Sequence, residues 1–400
     1  MTLLRESYLY HLWMTLVSVY QDSAVCRILP RIGAWCNRQI DESRVLNVLC
    51  REGIVARSWP NSVLCRVLNW VVNLPGELLH KLYKALQNLF EDSFFARLAF
   101  EMGEGTAIAQ SWLIMLLWVI PFSPWNNASS MMGFAALLVL FHAGAMHRKE
   151  MRLDLGAIGI YPLILFGAMF LAVAFSYEPT SSTRFLLYHI SAALCVLVTV
   201  SSVQTENDLK RLAAGGAICV AVSSAYAVVQ RIQGVEVNAA YVDLKLNAGM
   251  PGRVYSFFDN PNTFAQVLIL LLPLALALML SSRHLVCKVA AAGIFGIGAV
   301  ALAMTYSRAS WVGFACSLVV MVFLWKPSLI PAFIILCCLA VPLLPETIWN
   351  RILTITNMND SSTSSRFPLY EAALNVIKTR PLTGAGLGTA ATQAFIKDFN

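Results

Sequence analysis

Three arginines stand in segments whose residue types suit the binding of an anionic group. Arg253 lies in the stretch 249–262, where glycines and prolines interrupt the chain beside polar residues. Arg308 occupies a two-residue turn between two apolar blocks, and Arg366 opens an amphipathic segment. Because the arginine fork binds phosphate oxygens in pairs, we predict that the three side chains converge on one diphosphate group.

The carboxylates near these arginines do not have the spacing of metal ligands. Glu178, Asp243, Asp259 and Glu371 stand singly, whereas divalent cations are held by grouped oxygen ligands. The glycine run 384–388 lacks the Gly-Lys-Ser/Thr that ends a phosphate-binding loop, and it is typical of a tight turn after a helix. We therefore predict a site that uses no metal and no cofactor.

The elements that position these arginines are long apolar blocks. Hydrophobic residues make up 58% of the 400-residue chain and charged residues 13%, whereas soluble proteins are about 25% charged. Blocks of roughly 17 to 25 apolar residues are long enough to cross a bilayer as helices. The nine predicted spans are 107–123, 129–146, 155–176, 185–203, 212–230, 263–281, 285–306, 309–325 and 328–344. The predicted fold is an all-α polytopic membrane protein.

The distribution of cations predicts the orientation of these spans. With residue 1 in the cytoplasm and one crossing per block, the inner loops are 147–154, 204–211, 282–288 and 326–327. They contain Arg148, Lys149, Arg152, Lys210, Arg211, Arg283, Lys288 and Lys326. The short outer loops 124–128 and 177–184 contain one cation, Arg184. This asymmetry follows the positive-inside rule, so the net charge of +7 indicates a membrane protein and not a nucleic-acid partner.

Three regions follow from this topology. Residues 1–106 form a cytoplasmic segment of amphipathic helices with a weak repeat, which either lies on the inner membrane face or binds a partner. Residues 107–344 form the transmembrane domain. Residues 345–400 begin a large extracytoplasmic loop, and the loop 231–262 lies on the same outer side.

Three motifs together resemble the O-antigen ligase and Wzy-type polymerase family. They are Gly252-Arg253-Val-Tyr-Ser-Phe-Phe-Asp-Asn-Pro-Asn262, Tyr306-Ser-Arg-Ala-Ser310, and Ser365-Arg366 followed by Pro381-Leu-Thr-Gly-Ala-Gly-Leu-Gly388. The resemblance covers residues 107–400. It implies a GT-C-like membrane glycosyltransferase of the bacterial inner membrane, surrounded by membrane lipids. Such an enzyme moves a glycan from undecaprenyl diphosphate to a lipid A core or to another lipid-linked glycan.

The resemblance also implies roles for individual residues. Arg253 and Arg308 correspond to the essential catalytic arginines, and Arg366 joins them in binding the diphosphate. Their positive charge would stabilise the leaving group as negative charge develops on it. The residues expected to support this site are Asn260, Asn262, Ser307, Gly384 and Gly386.

One feature of the family has no counterpart in these 400 residues. The family has a functional histidine late in the large outer loop, followed by further spans. The histidines here are His11, His80, His142, His147, His189 and His284. Of these, His189 lies toward the outer side, but in a predicted span. We therefore expect the chain to be a fragment, with an inactive paralogue as the alternative.

Two other functions are consistent with the composition. A transporter of lipid-linked sugar or a small anion would show ionisable residues near mid-membrane and broken helices in paired halves. The predicted spans have almost no charge at their centres, and Pro162 and Pro273 do not mark matching halves. A scaffold that recruits partners through residues 1–106 rests on the weak repeat alone.

Overall fold

The computed structural model describes residues 24–43, 53–104, 127–237, 251–258, 260–325 and 366–399, with a few isolated positions elsewhere. Within these residues the chain is helical and contains no β-strand. It divides into two compact units, Met1–Arg51 with Arg308–Ile355, and Glu52–Ser307 with Thr356–Asn400.

Fourteen helices are named here in chain order, and residues 94–104 are also helical. The helices are α1 Ala24–Asp41, α2 Ile54–Ser58, α3 Val63–Ala85, α4 Gln87–Glu91, α5 Asn127–His147, α6 Leu155–Ile158, α7 Tyr161–Ala174, α8 Pro179–Ser202, α9 Glu206–Gln233, α10 Pro261–Ser281, α11 Leu285–Met304, α12 Arg308–Trp325, α13 Phe367–Thr379 and α14 Thr389–Phe399.

The helices α8 to α12 are long and apolar enough to cross a membrane, five in all among the described residues. Residues 131–147 of α5 and the whole of α7 are shorter apolar helices. Within the described residues, the prediction of a helical chain with several apolar helices of spanning length is therefore confirmed. The count of nine spans stays a prediction, since the blocks 107–123 and 328–344 fall outside the described ranges.

The predicted span 155–176 is not one continuous helix. The short helix α6 ends at Ile158, and its C-cap residue Gly159 has a φ of +83°, outside the helical region; α7 begins only at Tyr161. At 1.5 Å per residue, the 14 residues of α7 extend about 21 Å, which is less than the roughly 30 Å hydrocarbon core. The mean hydropathy of a long apolar block changes little when one residue is a glycine, so the sequence did not predict this break.

The helices α9, α10 and α11 pack on one another and form the core of the larger unit. Small residues allow this close contact, as is common between membrane helices. A methyl group placed on Gly298 of α11 would lie 2.5 Å from Leu272 Cδ2 in α10 and 2.6 Å from Val220 Cγ1 in α9. The three-helix packing brings the end of α9, the start of α10 and the end of α11 to one place.

The helix α3 packs against α5 and is amphipathic. In α3, the side-chain oxygen of Asn73 accepts from the backbone N–H of Leu153, and its Nδ2 donates to the carbonyl of Leu153, both at 2.8 Å. Trp59 donates to the carbonyl of Leu155 at 2.9 Å. These contacts fix the connection between α5 and α6. The boundary at residue 106, and the choice between a membrane-surface and a partner-binding role, stay predictions.

Exchange of Gly298 for alanine should destabilise the three-helix core, because the added methyl group overlaps Leu272 and Val220. Overpacking of this kind costs about 1–3 kcal/mol. The matched control is Gly293→Ala on the same helix, where a β-carbon meets no atom within 4 Å. Thermal unfolding of the detergent-solubilised chain measures both. Equal melting temperatures for the two variants would contradict this packing.

Candidate functional site

Arg253 lies in the segment between α9 and α10, and its side chain is buried, with 7% of its surface exposed. Its Nε donates to the carbonyl oxygen of Thr305 at 2.6 Å, and its Nη2 donates to Asn262 Oδ1 at 2.6 Å. Thr305 follows the last residue of α11, and Asn262 belongs to the first turn of α10. The guanidinium plane is therefore fixed by two elements that meet through the three-helix core.

The start of α10 gives Asn260 and Asn262 distinct structural roles. Asn260 is the N-cap residue, and its Oδ1 accepts from the backbone N–H of Asn262 at 2.8 Å. Pro261 occupies the first helical position, where a missing N–H has no cost. The N-terminus of a 21-residue helix has a partial positive charge. This partial charge adds to the full charge of Arg253, because the side chain of Asn262 holds the guanidinium beside the start of α10.

The end of α11 forms a tight turn that leads to Ser307. Thr305 Oγ1 donates to the carbonyl of Leu302 at 2.7 Å and accepts from the backbone N–H of Ser307 at 3.4 Å. Thr305 and Ser307 are buried. Arg308, the next residue, is half-buried as the first residue of α12.

Two non-glycine residues adopt a positive φ in the described part of the chain, and both flank Arg253 and its partner Thr305. Ser256 has a φ of 54° and Tyr306 a φ of 51°. A left-handed backbone at a residue with a side chain costs of the order of 1–3 kcal/mol, and such residues concentrate at functional sites. The backbone around Arg253 is thus held in an unfavourable conformation by its surroundings.

Gln230, near the end of α9, provides much of that restraint. Its Oε1 accepts from the backbone N–H of Ser256 at 2.8 Å and from that of Tyr255 at 3.3 Å. Its Nε2 donates to the carbonyl of Ser256 at 3.0 Å. The hydroxyl of Ser256 donates to the carbonyl of Ser223 at 2.7 Å. This buried amide ties the strained segment to α9.

Gly252 has a steric role next to Arg253. A β-carbon at this position would overlap the carbonyl oxygen of Val235, so no larger residue fits there without a backbone shift. Arg231 Nη1 donates to the Gly252 carbonyl at 3.3 Å. The close approach of the two chain segments explains the glycine that precedes the arginine.

Ser256 and Thr305 lie in or beside the predicted motifs, but neither they nor Gln230 had a predicted role in the site. Gln230 had a detectable signal, because an amide at the end of an apolar block is expected to be buried and hydrogen-bonded. Thr305 contributes a backbone carbonyl to Arg253, and residue type gives no information about such a contact.

The glycine run packs against the connection between α7 and α8 and against the first turn of α8. The N–H of Leu387 donates to Ser182 Oγ at 2.9 Å, and the N–H of Tyr177 donates to the carbonyl of Ala385 at 3.1 Å. Gly384 and Gly386 have φ values of 64° and 116°, and a β-carbon on Gly386 would overlap the hydroxyl of Ser176. The tight turn predicted here is confirmed. The supporting role of these glycines at the arginine site stays a prediction.

The other predicted residues have different environments from Arg253. Arg366 is exposed and precedes α13, which forms the amphipathic segment predicted to begin at Arg366. His189 is exposed on α8, and its Nδ1 forms a hydrogen bond with the carbonyl of Phe185 at 2.8 Å. The structure brings Arg253, Asn262 and Thr305 together. The convergence of Arg308 and Arg366 on that cluster stays a prediction.

Exchange of Gln230 for leucine should destabilise the site segment. The backbone N–H and C=O groups of Ser256 would remain buried without this partner, and each such group costs about 1–3 kcal/mol. The control is Gln233→Leu, an exposed position on the same helix. Hydrogen exchange of residues 251–258 in the full chain should accelerate in the Gln230 variant alone. Equal exchange in both variants would show that Gln230 does not restrain the segment.

Comparison with known protein families finds a match to the C-terminal part of the chain. Residues 293–400 match the family model described as O-antigen ligase, Wzy_C. The matched segment contains Thr305, Ser307, Arg308 and Arg366, whereas Arg253 precedes it. No curated protein and no solved structure matches the chain. Together with the apolar helices and the motif order, the match over residues 293–400 confirms the resemblance to the O-antigen ligase family.

Proposed function

We propose that this chain is a ligase-type or polymerase-type glycosyltransferase of the bacterial inner membrane. It moves a glycan from undecaprenyl diphosphate to a lipid A core or to another lipid-linked glycan at the outer face. The observation that carries the proposal is the buried Arg253, whose fork is oriented by Asn262 and by the carbonyl of Thr305. The family match over 293–400 supports the reaction class.

The reaction needs little from the protein beyond positioning and charge stabilisation. The acceptor hydroxyl oxygen attacks the anomeric carbon of the glycan, and the bond from that carbon to the diphosphate oxygen breaks. The electron pair of the broken bond stays on undecaprenyl diphosphate, and the hydroxyl proton passes to a base. Negative charge therefore grows on the leaving diphosphate, and preorganised cations stabilise it most where water is excluded.

Arg253 is suited to that role by its fixed orientation. Two contacts to protein acceptors set the plane of the guanidinium before the substrate arrives, so little reorganisation is needed at the moment of reaction. Burial also weakens dielectric screening of its charge, and the N-terminus of α10 adds a partial positive charge at the same place.

Arg308 and Arg366 are proposed as further ligands of the diphosphate. Arg308 follows the turn Thr305–Ser307, whose first residue holds Arg253. Both lie within the segment that matches the O-antigen ligase family. We assign Arg253 and Arg308 to charge stabilisation in catalysis and Arg366 to binding of the donor.

Exchange of Arg253 or Arg308 for lysine should lower glycan transfer by roughly 100-fold, the effect of losing one preorganised donor at a developing charge. Lysine keeps the charge but cannot replace the planar fork. The assay uses the full chain in liposomes with an undecaprenyl-diphosphate-linked glycan and a lipid A core acceptor.

The control for both variants is Arg184→Lys, an exposed position on α8, which should retain wild-type transfer. All variants should remain in the membrane fraction. Undiminished transfer by both Arg253→Lys and Arg308→Lys would refute the role of the arginines in binding the diphosphate.

The proposed topology places Leu382 outside and Glu150 in the cytoplasm. Leu382 is 83% exposed, and Glu150 is also exposed. In a cysteine-free background, a cysteine at position 382 should react with an impermeant thiol reagent on intact spheroplasts. A cysteine at position 150 should react only after lysis. The reverse pattern would overturn the orientation derived from the positive-inside rule.

A further inference from the structure

A cavity of about 290 Å³ lies between α3, α5 and the connection that follows α5. It is separate from the arginine site, and the glycan-transfer chemistry makes no use of it. Most of the polar side chains that line it are basic: His80, Lys81, Lys84, His142, Lys149 and Arg152. One carboxylate, that of Glu77, lines the same space. Four lysine or arginine side chains against one glutamate leave a formal excess of three positive charges.

The positive-inside rule explains the presence of cations on the cytoplasmic side of the membrane but not their position around one cavity. Lys149 and Arg152 belong to a predicted inner loop, where cations are expected. Lys81 and Lys84 belong to α3, a different element, and yet they line the same cavity. Like charges from two elements repel each other, and a concave site of one sign attracts and concentrates counter-ions. The convergence therefore indicates an anionic occupant.

Ion pairs within the protein neutralise one of the four lysine and arginine side chains that line the cavity. Arg152 Nη2 lies 3.2 Å from Glu77 Oε1, which cancels one charge. Glu104 pairs with His147 and, at 2.5 Å, with Arg148. Within the described part of the chain, Lys81, Lys84 and Lys149 form no ion pair. Their charge is available to a ligand.

The walls of the cavity are held in place before any ligand binds. His80 Nδ1 forms a hydrogen bond with the carbonyl of Met146 at 2.8 Å, which joins α3 to α5. His142 Nδ1 forms one with the carbonyl of Leu138 at 2.8 Å. Asn73 binds the backbone of Leu153 on both its donor and acceptor sides. A preorganised site has less to order on binding.

We propose that this cavity binds a phosphate-bearing anion. Lysine is a common phosphate ligand as a point charge, and the volume lies near the lower end of the roughly 300–1,000 Å³ of small-molecule sites. The size suits a single phosphate or diphosphate group, either free or as the headgroup of an anionic lipid. In the proposed topology the cavity faces the cytoplasm, on the opposite side of the membrane from glycan transfer. The inference does not depend on the proposed enzymatic activity.

Two measurements on the full chain distinguish the two sources of phosphate. In nanodiscs of phosphatidylcholine, inorganic pyrophosphate is titrated and binding is followed by isothermal calorimetry. In nanodiscs that also contain phosphatidylglycerol, retained lipid is quantified by native mass spectrometry. The test protein is the Lys81→Gln/Lys84→Gln double variant. The control is Arg66→Gln/Arg97→Gln, two exposed cations of the same region that do not line the cavity.

Wild type and control should bind one of the two probes about tenfold more tightly than the double variant, because the variant loses two exposed positive charges at the cavity. A difference confined to pyrophosphate identifies a soluble ligand, and one confined to phosphatidylglycerol identifies a lipid headgroup. A Lys81→Arg/Lys84→Arg variant, which keeps both charges, should bind as wild type does. Absence of binding by wild type in both measurements, or equal binding by all variants, would overturn the proposal.

Discussion

The buried guanidinium of Arg253 sets the constraint that the surrounding structure has to meet. A charged group removed from water costs several kcal/mol unless hydrogen bonds replace its hydration. Two of these bonds come from elements far apart in sequence, the side chain of Asn262 and the carbonyl of Thr305. Both acceptors are in position only if α10 and α11 stay in register, and close packing at Gly298 holds the two helices together. The packing of the apolar helices and the geometry of the polar site therefore depend on each other.

The same constraint explains the unusual backbone near the site. Ser256 and Tyr306 have positive φ values without being glycine, and a conformation of this kind persists only where neighbouring contacts enforce it. Gln230 enforces it at Ser256 through three hydrogen bonds to backbone groups. The polar side chain of Gln230, inside an apolar bundle, thus fixes the segment 251–258, which contains Arg253. A rigidly held cation is what stabilisation of a developing diphosphate charge requires.

Much of the helical architecture was predictable because span length and apolarity are local properties of the chain. Arg253 could be selected as a candidate site residue because it stands in a segment broken by glycine and proline beside an apolar block. The break at Gly159 and the packing of the glycine run on the α7–α8 connection were not predictable. They depend on backbone dihedral angles and on tertiary contacts such as that of Leu387 with Ser182. The role of the Thr305 carbonyl as an acceptor for Arg253 could not be predicted either, because every residue has a backbone carbonyl and residue type does not mark the one that is used.

The central claim is that Arg253 holds the diphosphate of the glycan donor, and the most direct measurement is a cryo-EM structure of the full chain in nanodiscs with that donor bound. A diphosphate oxygen should lie about 2.7–2.9 Å from a guanidinium nitrogen of Arg253, the distance of a charge-assisted hydrogen bond. Asn262 and Thr305 should keep their contacts to the same side chain. A donor whose diphosphate is bound elsewhere, with no oxygen in contact with Arg253, would contradict the claim.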